Sequence, residues 1–398
     1  MKQLELIFLG LLVFVLPSLE TPKTVFWALY ILLFLYRRYH EHGFTFTKPD
    51  GISLAVTGLF IVSLVSTLIN WPLQKGFSGS FDTLSYAALF FCLYFGNYTS
   101  KQLRHLLVVA ILGLLAGLLY GLVEFSSGIT NALSLHSAGV TTQSSIYLGI
   151  VLIATLGLLA DQTESPIVFD ILLYLSLYLI GVALVYMGSR GAILAVIVCL
   201  AVLLVVNHSR RIVVITSTAT IAATVTALLL TSAFPTNINK PEKRERFSVE
   251  RFQKSDTERI ENWKISLQKL STGEDIFWGI GPKNYRSIDP RELGIESTYY
   301  QRTGKLSHAH NLFLTQLIEQ GIIGLTVFFV FFFLICRRLF TGWHYCRDSN
   351  SQWVWISGMG ALVVPVVAGF FNTPFYQEHA MLAMILIGIL FNQTRNMA

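Results

Sequence analysis

Residues 167–206 read IVFDILLYLSLYLIGVALVYMGSRGAILAVIVCLAVLLVV, with Asp170 and Arg190 the only acidic or basic side chains. A helix that crosses a bilayer needs about 20 mostly apolar residues. The stretch therefore reads as two spans back to back, hinged at Gly188-Ser189-Arg190-Gly191-Ala192. Similar runs recur on either side. They place candidate helices near 4–19, 24–37, 52–70, 82–98, 106–123, 143–160, 167–187, 191–207, 211–232, 314–336, 353–371 and 379–394, the second and twelfth being short. In lipid only helices and closed barrels satisfy every backbone polar group, and these runs are too long for alternating barrel strands. The expected fold is an all-α integral membrane protein of about twelve transmembrane helices.

Composition agrees. Of 398 residues, 53% are hydrophobic and 13% are Asp, Glu, Lys or Arg, against about 25% charged in a soluble domain. The mean hydropathy is +0.59. These values exclude a soluble enzyme, a disordered chain and a nucleic-acid binder, and they make membrane lipid the obligatory surroundings. The four cysteines, Cys92, Cys199, Cys336 and Cys346, show neither zinc-ligand spacing nor a disulfide framework. Nothing in the sequence calls for a metal or a cofactor. The first run carries Glu5 and is followed by no small-x-small cleavage site, so it is expected to be a retained span.

The basic residues orient the chain. With a cytoplasmic N-terminus, the inner segments hold Lys2, Arg37, Arg38, Lys48, Lys101, Arg104, Arg210, Arg211, Arg337, Arg338, Arg347 and Arg395, and the short outer ones only Lys23, Lys75 and Arg190. This is the bias of the positive-inside rule, and it predicts that both termini are cytoplasmic. The 77 residues from Ala233 to Ala309 hold no membrane-length run and carry 14 of the 29 basic and 11 of the 23 acidic residues. By parity they form one large outer loop, periplasmic in a bacterium. The expected organisation is helices one to nine over 1–232, the loop over 233–309, and helices ten to twelve over 310–398. Gly113, Gly117 and Gly121 mark a face for close helix packing.

Three places could carry chemistry. Arg190 sits between glycines that allow a tight turn and close approach of another group, at a depth where an arginine is rarely kept without purpose. In the loop, Ser255-Asp256-Thr257-Glu258 reads as a capping box opening a helix that places Arg259 and Trp263 on one face. Asp256-x-Glu258 is better explained by a helix dipole than by a divalent metal. Last, His308-Ala309-His310-Asn311 heads a polar stripe of Asn311, Thr315, Gln316, Glu319 and Gln320 on an apolar run, with Gly321 and Gly324 beyond. That stripe must face the outer loop or a wet cavity. Arginines fork onto phosphate oxygens, and a histidine can take a proton from a hydroxyl. Together these groups suit displacement of a diphosphate from a lipid-borne substrate, arginine standing where other enzymes use a metal.

At these residues the chain resembles the bacterial O-antigen ligase and polymerase superfamily. His310-Asn311, nine residues, Gly321, two residues, Gly324 matches the ligase pattern; Arg190 matches its Gly-Ser-Arg-Gly turn, Arg259 with Trp263 its loop arginine helix, and Gly279-Ile280-Gly281 its Gly-x-Gly stretch. The resemblance implies a GT-C-like glycosyltransferase with a mainly helical periplasmic loop, set in the inner membrane of a Gram-negative bacterium. Its implied donor is an undecaprenyl-diphosphate-linked glycan and its acceptor the lipid A–core oligosaccharide, joined by metal-independent displacement with inversion. The implied roles are His310 as general base and Arg190 and Arg259 as diphosphate ligands. Asn311, Trp263 and Lys283 are supporting candidates, with Asn284 and Arg302 as further glycan or phosphate contacts. Within the superfamily, a repeat-unit polymerase or a protein O-oligosaccharyltransferase shares the donor chemistry, though the end at Ala398 disfavours the latter. From another class, a transporter is the rival, but repeats expected of such folds are absent from the sequence.

Overall fold

The computed structural model describes residues 1–42, 49–71, 75–161, 166–206, 210–233, 249–273, 275–348, 351–375 and 378–395. Lys48 and residues 234–248 of the expected loop lie outside these. Among the described residues there are fourteen α-helices and no strand. They are α1 (Lys2–Val15), α2 (Glu20–His42), α3 (Gly51–Ile69), α4 (Gly76–Tyr94), α5 (Ser100–Ser126), α6 (Thr141–Ala160), α7 (Ile167–Met187), α8 (Arg190–Val206), α9 (Arg210–Ala233), α10 (Val249–Ser271), α11 (Thr298–Thr303), α12 (Leu312–Asp348), α13 (Gln352–Ala368) and α14 (Glu378–Gln393). Five of them, α3, α5, α6, α7 and α12, are both long and apolar enough to cross a membrane. The chain is a polytopic membrane protein.

A helix that is apolar all round belongs in the interior. α6, α13 and α14 are such helices: nearly every residue of each is buried, and α6 packs on α13 while α14 packs on α13 and α4. Around this centre α7 pairs with α9, α3 with α4 and α12, and α1 with α2 and α5. The peripheral helices turn bare apolar side chains outward, such as Leu119, Val205, Ile221 and Phe340, a surface that lipid tolerates and water does not. The expected glycine face is used as read. A Cβ on Gly113 would lie 2.3 Å from the Phe14 carbonyl oxygen, so α5 lies directly on the chain at the end of α1.

Several helices outrun their apolar runs. α2 extends to His42 because its polar end is held: buried Arg37 pairs with Glu5 at 2.6 Å and with Glu41 at 2.9 Å, and Tyr98 donates to Glu5. Glu5 is thus a buried partner inside the first helix. In the outer loop α10 begins at Val249, not at Ser255. The expected capping box is therefore interior helix, since no residue of Val249–Lys254 breaks helical geometry and the helix simply starts earlier. Beyond α10 the loop is mostly turns, with a 3₁₀ turn at Asn284–Ser287 and the six-residue α11. A separate small core gathers Ile265, Ile280, Tyr285, Ile288, Leu306 and Ala309 around Ile318 of α12.

α12 has 37 residues and is broken at Gly321, where φ is 68° and ψ −172°. The break exposes helix backbone groups, and the outer segment takes them up. Ile280 and Gly281 donate to the carbonyls of Ile318 and Glu319 at 2.9 Å each, and Ile322 donates to the Ile276 carbonyl at 2.9 Å. Ser66 of α3 donates to Trp278 and Glu319 carbonyls, and Asn70 to that of Gly279. A Cβ on Gly321 would lie 2.1 Å from the Phe277 oxygen, and one on Gly279 2.4 Å from the Glu319 carbonyl carbon. The two glycine motifs of the sequence are the two halves of one backbone contact.

Gly321→Ala should therefore combine steric displacement with left-handed strain and cost about 3 kcal/mol or more. Gly294→Ala, at φ +69° in open space, should cost only about 1 kcal/mol. Thermal unfolding in detergent compares the two, and equal shifts would refute the interlock.

Candidate functional site

The hinge between α7 and α8 is built by its glycines. Gly188 closes α7 in a left-handed conformation (φ 68°), its N–H returning to the Val185 carbonyl at 3.0 Å. α8 then starts at once, so Arg190 occupies its first turn. At Gly191 an added Cβ would meet Phe371 at 3.3 Å, which brings the segment after α13 against the hinge. Arg190 thereby reaches across to α10. Its Nη2 donates to Asp256 Oδ1 at 2.7 Å and its Nη1 to Oδ2 at 3.3 Å.

Asp256 holds a second cation. Arg259, one turn along α10, donates from Nη1 to the same Oδ1 at 3.2 Å. Burial lowers the proton affinity of Arg259 and the neighbouring Arg190 charge lowers it further, while Asp256 opposes both. Two guanidinium groups from separate elements thus share one carboxylate. Asp256 and Arg190 are each about half exposed, at 48%, so a competing anion has access. These residues line a cavity of about 340 Å³ together with Leu194, Ile260, Trp263 and Phe371.

His310 lies close by, immediately before α12, in a left-handed conformation (φ 52°). Its ring stands against that of His308, centroids 4.3 Å apart. Burial, the His308 ring and the charge of Arg259 lower its pKa from 6.5 to about 3. Burial and Arg286 lower that of His308 to about 4. Both rings are therefore neutral at pH 7, as a proton acceptor must be. Among the described residues nothing hydrogen-bonds the His310 ring. Asn311 caps α12, its Oδ1 accepting from the Leu314 N–H at 3.0 Å and its amide donating to the Phe370 carbonyl at 3.3 Å. The Leu312 N–H donates to the Gly369 carbonyl at 2.7 Å. His310 and Phe371 are in this way fixed to one strut.

The structure brings Arg190, Arg259, Trp263 and His310 together and leaves Lys283 apart. The Lys283 ammonium pairs with Asp82 of α4 at 2.5 Å, and its N–H donates to Glu319 Oε2 at 2.9 Å. Arg302 pairs with Glu258 at 2.7 Å and lies over Tyr299, and Asn284 donates to the Ile280 carbonyl. Both carboxylates of Asp256-x-Glu258 thus face arginines. The shared role of Asp256 was not legible in the sequence, because its partner Arg190 lies 66 positions away. Glu319, visible only as part of a stripe, holds the Lys283 and Tyr285 N–H groups.

Comparison with known families covers this same region. Residues 175–329 match the O-antigen ligase family. The O-antigen ligase match spans Arg190, Asp256, Arg259, Lys283, His310, Asn311 and both glycine pairs. No curated protein matches the chain.

The histidine shifts fix a pH dependence. An unfolded histidine takes up a proton near pH 6.5 and the folded His310 only near pH 3, so the unfolded state binds more protons between these values. Its contribution to stability is complete above pH 6.5 and is lost as pH falls towards 3. His310→Gln should flatten the fall of the unfolding midpoint between pH 6.5 and 4. Parallel profiles for the two proteins would show that His310 titrates normally.

Proposed function

We propose that the chain is an O-antigen ligase, transferring a glycan from undecaprenyl diphosphate to a sugar hydroxyl of the lipid A–core oligosaccharide. In this reading α1–α9 and α12–α14 are twelve spans of a Gram-negative inner membrane with both termini cytoplasmic. Residues 1–232 and 310–398 form the membrane part, and 233–309 a periplasmic loop over the active site. The observation that carries the reading is the convergence of Arg190 and Arg259 on one exposed carboxylate beside a neutral, unengaged His310.

The chemistry follows from these groups. Asp256 occupies the fork that diphosphate oxygens would take, and the donor displaces it from the two guanidinium groups. A diphosphate bound there adds negative charge near His310 and raises its proton affinity, which makes the ring a better base once the donor has arrived. His310 takes the proton of the acceptor hydroxyl as that oxygen attacks the anomeric carbon. The bond from that carbon to the diphosphate oxygen breaks, and its electron pair leaves on the diphosphate, where Arg190 and Arg259 stabilise it. One displacement inverts the anomeric centre. Undecaprenyl diphosphate departs and the imidazolium returns its proton to water. Trp263 walls the cavity and Asn311 holds His310 in place; the Lys283–Asp82 pair lies apart from this centre.

The test uses purified protein, undecaprenyl-diphosphate glycan and lipid A–core with a chelator present. A gel shift of the acceptor should survive chelation and fall about 10²–10⁴-fold in His310→Ala, the usual worth of a general base. A growing ladder of lipid-linked glycan would make the protein a polymerase instead. Folded protein giving no covalent product would overturn the reading.

A further inference from the structure

The polar stripe of α12 also lines a second cavity, of about 70 Å³, bounded by α3, α4, α12 and the Pro282–Lys283 turn. That volume is several times the roughly 10–15 Å³ one buried water needs. It shares no residue with the cavity at Arg190. Its polar wall presents Asp82 and Thr83 of α4 and Gln316 and Gln320 of α12, and its apolar wall includes Tyr86 and Phe328. Gln320 is only 8% exposed, and its Oε1 is buried without a hydrogen-bond partner. Burying an amide oxygen without a partner is unfavourable, so the cavity lacks a donor that an occupant would bring. The lining holds two carboxylates, Asp82 and Glu319, against the single ammonium of Lys283, a balance that repels phosphate and suits hydroxyl groups.

We propose that this cavity binds a hydroxylated sugar ring of the acceptor glycolipid, its hydroxyls donating to Gln320 and exchanging hydrogen bonds with Gln316, its carbon face lying on the apolar wall. The assignment rests on the ligase reading. Gln316 and Gln320 lie four and eight residues into α12 from Leu312, about 6 and 12 Å along the axis, whereas His310 stands just before that helix. The bound ring is therefore a neighbour of the reacting sugar, seated nearer the membrane, and the cavity serves as an anchor that aims the acceptor hydroxyl at His310.

Steady-state ligation with each substrate varied in turn tests this. Gln320→Leu and Gln316→Leu should raise the KM for lipid A–core about three- to tenfold and leave the KM for the donor unchanged. Gln320→Glu, which keeps an acceptor oxygen, should recover part of the loss. Replacing an unpaired buried amide by leucine should not lower the unfolding midpoint, so loss of fold is separately visible. An unchanged acceptor KM in both leucine variants, or an equal rise for both substrates, overturns the proposal. Direct binding of lipid A–core to the Arg190→Ala protein in nanodiscs, without donor, settles the subsite independently of turnover. Binding should persist there and weaken on adding Gln320→Leu; binding indifferent to Gln320 would refute the subsite even if ligation is confirmed.

Discussion

The site depends on a backbone contact made where α12 is broken. A helix interrupted in its interior leaves carbonyl and N–H groups that must find partners, and here Ile276–Gly281 supplies them across Gly321. This pins the outer segment to α12 without side-chain adjustability, because the two backbones approach closer than any Cβ allows. The small core around Tyr285 and Ile265 then seats α10 on that platform, and the Tyr285 hydroxyl donates to the Asn262 carbonyl at 3.0 Å. The orientation of α10 sets where Asp256 and Arg259 point. The position of Arg259 beside His310 is thus fixed by glycines some 20 and 60 residues further along the chain.

Electrostatics completes the arrangement. Two guanidinium groups held apart on α8 and α10 would repel each other in an empty cavity, and Asp256 offsets that repulsion. The carboxylate is exposed, so the neutralisation is exchangeable, unlike the buried Glu5–Arg37 pair at the other end of the bundle. A neutral histidine is what a net positive cluster favours, since its charges discourage a proton. In the proposed mechanism, the donor's diphosphate would reverse that bias and so couple donor arrival to base strength.

Much of this was legible in the sequence, and the rest was not for identifiable reasons. Apolar runs located helices, five of them long and apolar enough to cross a membrane, because lipid demands length and hydrophobicity together. The glycines at 188 and 191 correctly marked a hinge, and the stripe from Asn311 to Gln320 correctly marked a helix facing both the loop and a cavity. What an apolar run does not encode is its neighbour: α6, α13 and α14 read like the peripheral helices yet form the buried centre. The start of α10 was placed late because a capping-box pattern is equally compatible with mid-helix. The ion pair of Lys283 with Asp82, some 200 positions earlier in the chain, was likewise not legible. Asp256 looked like a helix-dipole residue for the same reason, since its main partner is remote in sequence.

The central claim is that Asp256 keeps the place of a diphosphate between Arg190 and Arg259. Calorimetric titration of the detergent-purified protein with inorganic diphosphate tests it most directly. Charges about 4 Å apart near a protein surface interact by about 1–4 kcal/mol, so Asp256→Asn should tighten diphosphate binding about tenfold or more, and Arg190→Ala or Arg259→Ala should abolish it. Diphosphate affinity that falls in Asp256→Asn, or that is indifferent to both arginines, would contradict the account.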